Sequence, residues 1–227
     1  MRWPAGVFLV IFCLPFSVWT QEGVDGKEGE SGGDSFVPEA ARVLLGEGNE
    51  AFARGEYGRA REAYGRFLEL VPDSFLGLVN LGLAEFADGQ KEAAEKTLKR
   101  ALQMRMETAS AWLALGKLYL DEGRLDESLA ALAQVLVLDP GNARARNFFG
   151  VVVGRKGWVD GAQSELRRAV EIDPNYSDAH YNLAYFYLAA KPPLVELARR
   201  HYFRSLELGA QRDPEMEARL KRRSITD

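Results

Sequence analysis

ASAWLALGKLYLDEGRLDESLAALAQVLVLDPGN, residues 109–142, holds two runs of apolar side chains at three- and four-residue steps. Trp112, Leu115, Leu118 and Tyr119 make the first run; Leu125, Leu129, Leu132 and Leu136 make the second. That spacing puts each run on one face of an α-helix. Gly123 separates them and suits the left-handed conformation that ends a helix. Asp139-Pro140 closes the second run, because proline cannot extend it. Asp126 stands just past the turn, as N-cap or first-turn acid of the second helix. Gly116 and Ser128 are small where two packed helices bring their backbones close, and Trp112 covers the apolar seam. The stretch predicts a helical hairpin.

The same arrangement recurs along the chain. Gly55, Gly89, Gly123 and Gly157 follow one another at intervals of 34 residues. Gly48, Gly82, Gly116, Gly150 and Ala184 mark the first helices, Ala60, Ala94, Ser128, Ala162 and Ala198 the second, and Pro72, Pro140 and Pro174 end them. A helix-turn-helix unit at this period is the mark of a solenoid. Trp112, Leu115, Gly116, Tyr119, Ser128, Leu132 and Pro140 follow the pattern W-x2-L-G-x2-Y, then A-x3-F, then P. On these residues the chain, over about residues 41–208, resembles the tetratricopeptide repeat family. The resemblance implies an all-α, right-handed α-solenoid of about five repeats: 41–74, 75–108, 109–142, 143–176 and 177–208, in an array spanning 39–208. Asp213-Pro214-Glu215, with Met216 and Leu220 four apart, predicts a short closing helix within a capping segment, 209–227.

Departures from the pattern carry their own expectations. Met106 replaces the proline of the second repeat, leaving that corner less rigidly set. Glu47 replaces a large apolar residue in the first, as suits the polar outer face of a terminal repeat. Lys191-Pro192-Pro193 replaces the fifth turn glycine in a loop two residues longer than its counterparts.

With 47% hydrophobic and 27% charged residues, the 227-residue chain has the composition of a soluble helical protein. Residues 1–20 read as a signal peptide or an uncleaved signal anchor: Arg2 precedes an apolar run over residues 5–19 that is interrupted by Pro15 and short for a spanning helix. Cys13, the single cysteine, lies inside that run, so cleavage leaves no disulfide framework. Residues 21–38 read as a flexible, acidic, glycine-rich linker, with Glu22, Asp25, Glu28, Glu30 and Asp34 against Lys27. That linker holds most of the net charge of −4, so the repeats are nearly neutral, which argues against nucleic acid as a partner. The closing repeat, with Pro192-Pro193 and Glu196 to Tyr202, resembles that of exported bacterial members of the family, implying an exported, periplasmic or envelope-associated protein.

Little in the chain points to catalysis. His180 stands where the family pattern has tryptophan and reads as a packed ring; a metal site with His201 would need further ligands, and none is evident. Gly46-x-Gly48-x-x-Ala51 aligns with a first helix and follows no strand, so it is not a dinucleotide fingerprint. No cofactor, metal or enzymatic activity is expected.

Function is therefore sought on a surface. The resemblance implies that first helices line a concave face through the second, fifth, ninth, twelfth and thirteenth residues of each repeat, and the fifth, ninth and twelfth are the candidate lining. These are Leu45, Asn49 and Phe52; Val79, Leu83 and Phe86; Leu113, Lys117 and Leu120; Asn147, Val151 and Gly154; and Tyr181, Tyr185 and Leu188. So apolar a set predicts an exposed groove for a helix or extended apolar segment of another protein. Any membrane contact would run through the N-terminal segment. Asn49 and Asn80 match the asparagines of the family's carboxylate clamp, but Leu45, Ser110 and Ala114 replace its cations, so an acidic C-terminus is not the expected ligand. Trp158, directly after a turn glycine, is either a further contact or packed on a neighbouring hairpin.

Overall fold

The computed structural model describes residues 38–222. The expected leader, the linker up to residue 37 and the tail from 223 lie outside the described residues. Within them are eleven α-helices and no strand. They are α1 (Glu39–Ala53), α2 (Tyr57–Leu70), α3 (Phe75–Ala87), α4 (Lys91–Met104), α5 (Ala109–Asp121), α6 (Leu125–Leu138), α7 (Ala143–Arg155), α8 (Val159–Ile172), α9 (Ser177–Ala189), α10 (Val195–Glu207) and α11 (Pro214–Arg222). Consecutive helices pair as antiparallel hairpins, each second helix packs on the next first helix, and α3 on α5, α5 on α7 and α7 on α9 form a continuous inner layer. No described helix is long and apolar enough to cross a membrane.

The period has a backbone cause. Gly55, Gly89, Gly123 and Gly157 all adopt positive φ, from 74° to 96°. At each, the glycine N–H bonds to a carbonyl three residues back and the next N–H to one five back, as in Gly123 to Leu120 (3.1 Å) and Arg124 to Tyr119 (2.8 Å). This double bond ends a helix and reverses the chain. Gly209 repeats it after α10, whereas the longer fifth loop closes through Leu194 N–H on the Tyr187 carbonyl, beside a cis Lys191–Pro192 bond.

Close helix approach follows the small residues. A Cβ placed on Gly116 would lie 2.7 Å from Leu132, and one on Gly82 would lie 2.7 Å from Leu98. Ser128, fully buried, donates its hydroxyl to the Gly116 carbonyl at 2.7 Å. Asp126 lies in the first turn of α6, whose N-cap is Arg124, and pairs with Lys156. Two large core clusters fill the stack, a small third one of Ala41, Leu44 and Phe67 lies at the first hairpin, and Trp112 packs against both large ones.

Each corner between repeats carries a further bond. Trp112 Nε1–H donates to the Met106 carbonyl at 2.8 Å, so the corner without proline is tied by a side chain. One period later Arg146 donates to the Pro140 carbonyl at 2.8 Å, and one more period on, His180 Nε2 meets the Pro174 carbonyl at 3.1 Å. Leu78 occupies the same place in the second repeat and has no donor; there Arg100 of α4 reaches the Pro72 carbonyl at 2.9 Å. Tryptophan, arginine and histidine share this position because each offers an N–H.

The closing helix forms as expected. Asp213 Oδ1 accepts the backbone N–H groups of Glu215 (2.8 Å) and Met216 (3.1 Å), capping α11. Met216 and Leu220 are buried against the last hairpin.

Candidate functional site

The inner layer brings most of the expected lining together, but at a different depth. Phe52, Val79, Leu83, Phe86, Leu113, Leu120, Asn147, Val151, Tyr181, Tyr185 and Leu188 are all buried, none more than 9% exposed. Leu45, Asn49 and Lys117 are half-buried. The expectation of an exposed apolar lining is thus corrected: its apolar members belong to the core clusters. The physical reason is that first helices of adjacent repeats touch, so residues facing the inner side also face one another. Gly154 supplies no lining; a Cβ there would lie 2.1 Å from the Phe186 ring.

Polar groups organise this face. Asn49 Oδ1 accepts from the Tyr64 hydroxyl at 2.8 Å and from Asn80 Nδ2 at 3.4 Å. Three repeats on, Asn147 Oδ1 accepts from Asn182 Nδ2 at 2.9 Å, and Asn147 Nδ2 donates to the Tyr176 hydroxyl at 3.3 Å. Between them stands Lys117, its ammonium 5.7 Å from the Phe86 ring centre and 5.9 Å from that of Phe148. It pairs with Asp121, one helical turn on, at 2.5 Å. Burial pushes the Asp178 carboxyl up to about 6, with Lys117 pulling the other way. The Tyr181 and Tyr185 hydroxyls are pushed above the ordinary phenol range, chiefly by burial.

At its C-terminal end the face receives α11. The Tyr181 hydroxyl donates to Asp213, and the Arg219 guanidinium lies 5.3 Å from the Tyr185 ring centre. Sequence reasoning missed these partners, together with Phe148, Asp121, Asp178 and Asn182. Asn147 and Asn182, 35 residues apart in the repeat frame, and the i,i+4 spacing of Lys117 and Asp121 were the signals available.

Trp158 is 58% exposed, its ring centre 6.0 Å from the Lys156 ammonium, and so does not pack as core. His180 is buried and its Nδ1 lies 2.8 Å from that of His201. Among the described residues no group of three or more His, Cys, Asp or Glu could hold a metal ion.

Comparison with known proteins follows the fold. A family model described as tetratricopeptide repeat matches residues 45–107, 81–143 and 113–174, and a second so described matches 165–207. No curated protein matches the chain in sequence. Among solved structures it is similar to a Pseudomonas aeruginosa pilF structure (TM-score 0.71, 19% identity, covering 81% of this chain and 84% of that one). It is also similar to MamA from Desulfovibrio magneticus RS-1 (0.66, 19%, 76% and 96%). A third is TTC0263, a thermophilic TPR protein of Thermus thermophilus (0.64, 20%, 82% and 99%). At these identities the likeness is one of fold.

Proposed function

The chain belongs to the tetratricopeptide repeat family, and from that premise we propose that it is a non-catalytic scaffold whose inner face holds a helix or extended segment of another protein. Repeats of this family mediate protein–protein interaction, so a protein partner is the coarse reading. The observation that carries the finer one is the centre of the inner layer, where Lys117 stands between two aromatic rings and beside Asp121. With the apolar floor buried, contact falls to groups that remain partly accessible: Leu45, Asn49 and the end of Lys117, whose side chain is 12% exposed, with Leu76 at the second place of its repeat, 44% exposed.

An exported protein at work in the cell envelope is the setting we favour, on the apolar run of residues 5–19 and the acidic linker that follows. Retention of residues 1–20 as an anchor would make it a membrane-tethered assembly factor, and the mass of the mature N-terminus separates the two.

Replacing Leu76 by Ser and Lys117 by Ala tests the face. Loss of these contacts is expected to weaken partner capture at least tenfold, on the scale of 1.4 kcal/mol per decade, in a double variant that stays folded at the assay temperature although removal of the Lys117–Asp121 pair lowers its melting temperature. Undiminished capture by the folded double variant would remove the proposal.

A further inference from the structure

The two histidines of the last hairpin form a proton-counting contact. His180 of α9 and His201 of α10 approach Nδ1 to Nδ1 at 2.8 Å, with ring centres 5.0 Å apart and planes inclined by 28°. Their centres are separated by the bond plus about the two ring radii, so the rings meet edge to edge rather than face to face. His180 Nε2 faces the Pro174 carbonyl at 3.1 Å. A carbonyl only accepts, so Nε2 carries a proton. In the neutral ring the His180 Nδ1 is then a bare acceptor, and the proton between the rings belongs to His201. The contact runs from His201 N–H through His180 to the corner carbonyl.

We propose that this pair is an acid-sensitive latch that holds α10, and through it the cap, against α9 and the corner at Pro174. The chemistry is one of counting. A first added proton has one place to go, His201 Nε2, and leaves the bond intact. A second must go to His180 Nδ1, which puts two N–H groups nose to nose and breaks the contact.

The surroundings resist charging. Burial, then His180, then Arg200, hold His201 down to about 4, and burial lowers His180 against the opposing pull of its carbonyl partner. The groups facing the pair are Arg200 and Arg204 of α10, Asp173 at the corner, Val170 of α8 and the Tyr187 ring of α9, 5.7 Å from His201. Arg204 is itself paired with Glu207 at 3.0 Å. Neither ring is hydrogen-bonded to a carboxylate among the described residues. The latch connects to the cap through α10, where Tyr202, next to His201, accepts the Asp213 N–H at 2.9 Å and bonds Glu217 at 3.3 Å.

Nitrogen-15 spectra of the full chain at about pH 7.5, well above the ordinary histidine value of about 6.5, read the tautomers directly. Nε2–H on His180 and Nδ1–H on His201 is the expected pair, and two independent Nε2–H rings overturn the latch. Hydrogen exchange then follows acidification to about pH 5, where a ring freed by opening, back near the ordinary value of about 6.5, takes the proton that the closed pair refuses. Protection of α10 and α11 is expected to drop about tenfold relative to α1 to α6, one pKa unit of differential protonation. His201→Gln, whose amide N–H donates at any pH, is expected to keep that protection. An equal loss in the variant, or no differential loss in the wild type, overturns the proposal; should the variant not fold, the tautomers of the wild type decide.

Discussion

At the scale of single residues, the informative position is the one shared by Leu78, Trp112, Arg146 and His180. A sequence pattern presents tryptophan there as apolar cover, and Trp112 does bridge both large core clusters. It also donates to the Met106 carbonyl at the corner that lacks proline. Trp112→Phe keeps most of the apolar surface and loses the donor, so it is expected to cost about 1 kcal/mol, the usual net value of a hydrogen bond, by urea unfolding; an unchanged midpoint would show the bond to be idle. Asp178 supplies a prediction of opposite sign. Its folded pKa of about 6 lies above the unfolded value of about 4, so the folded state binds the proton more tightly. Stability from this group is present at low pH and is lost as pH rises from about 4 to about 6. Asp178→Asn is expected to stabilise the protein by about 2–3 kcal/mol at pH 7, less the few tenths that a first-turn acid gains from its helix. The gain should vanish below about pH 4, and melting curves across that range check both ends.

At the scale of the element, the hairpin was fully legible and the depth of its faces was not. Turn glycines, small contact residues and corner prolines each answer to a local requirement, so their recurrence makes both helices of the first four units legible even where one mark, such as the proline at Met106, is missing. Gly116→Leu tests the tightest of these contacts. A branched side chain there must displace Leu132 and the Ser128 bond to the helix backbone, and is expected to cost about 3 kcal/mol or more, at or above the range of overpacking, as a lowered denaturation midpoint. A loss under about 1 kcal/mol would mean the helices part freely. Periodicity, by contrast, says which way a side chain faces and not how much of it the next hairpin covers. Phe86 and Tyr185, each 9% exposed, face inward and are core, so cutting them to Ser would lower stability before it reported on any partner. The cap was legible as a helix from Asp213-Pro214 but its contacts with Tyr181 and Tyr185 were not, because α11 stands outside the repeat and no period points to its partners.

At the scale of the molecule, stacking sums nearest-neighbour contacts, and the ion cluster of Arg124 shows how hairpins are joined. Its guanidinium reaches Glu95 of α4 at 2.7 Å as well as Glu122 and Glu127 of its own hairpin, and with Lys99 and Tyr119 it holds the Glu95 carboxyl down to about 2. The stack thereby presents two unlike surfaces, a layer of first helices with polar groups set over an apolar floor, and an outer layer of second helices with isolated apolar side chains such as Met104 and Val137. The family pattern made the inner layer recognisable; only the packing showed that, of its expected lining, Leu45, Asn49 and Lys117 stay partly exposed. Photo-crosslinking in the native cells, with a photoreactive residue placed singly at Leu45, Leu76, Met104 or Val137 of the full chain, asks directly which layer does the binding. Adducts to one common protein from Leu45 and Leu76, with none from Met104 or Val137, are the predicted result; the same protein captured through Val137 and not through the inner positions would contradict it.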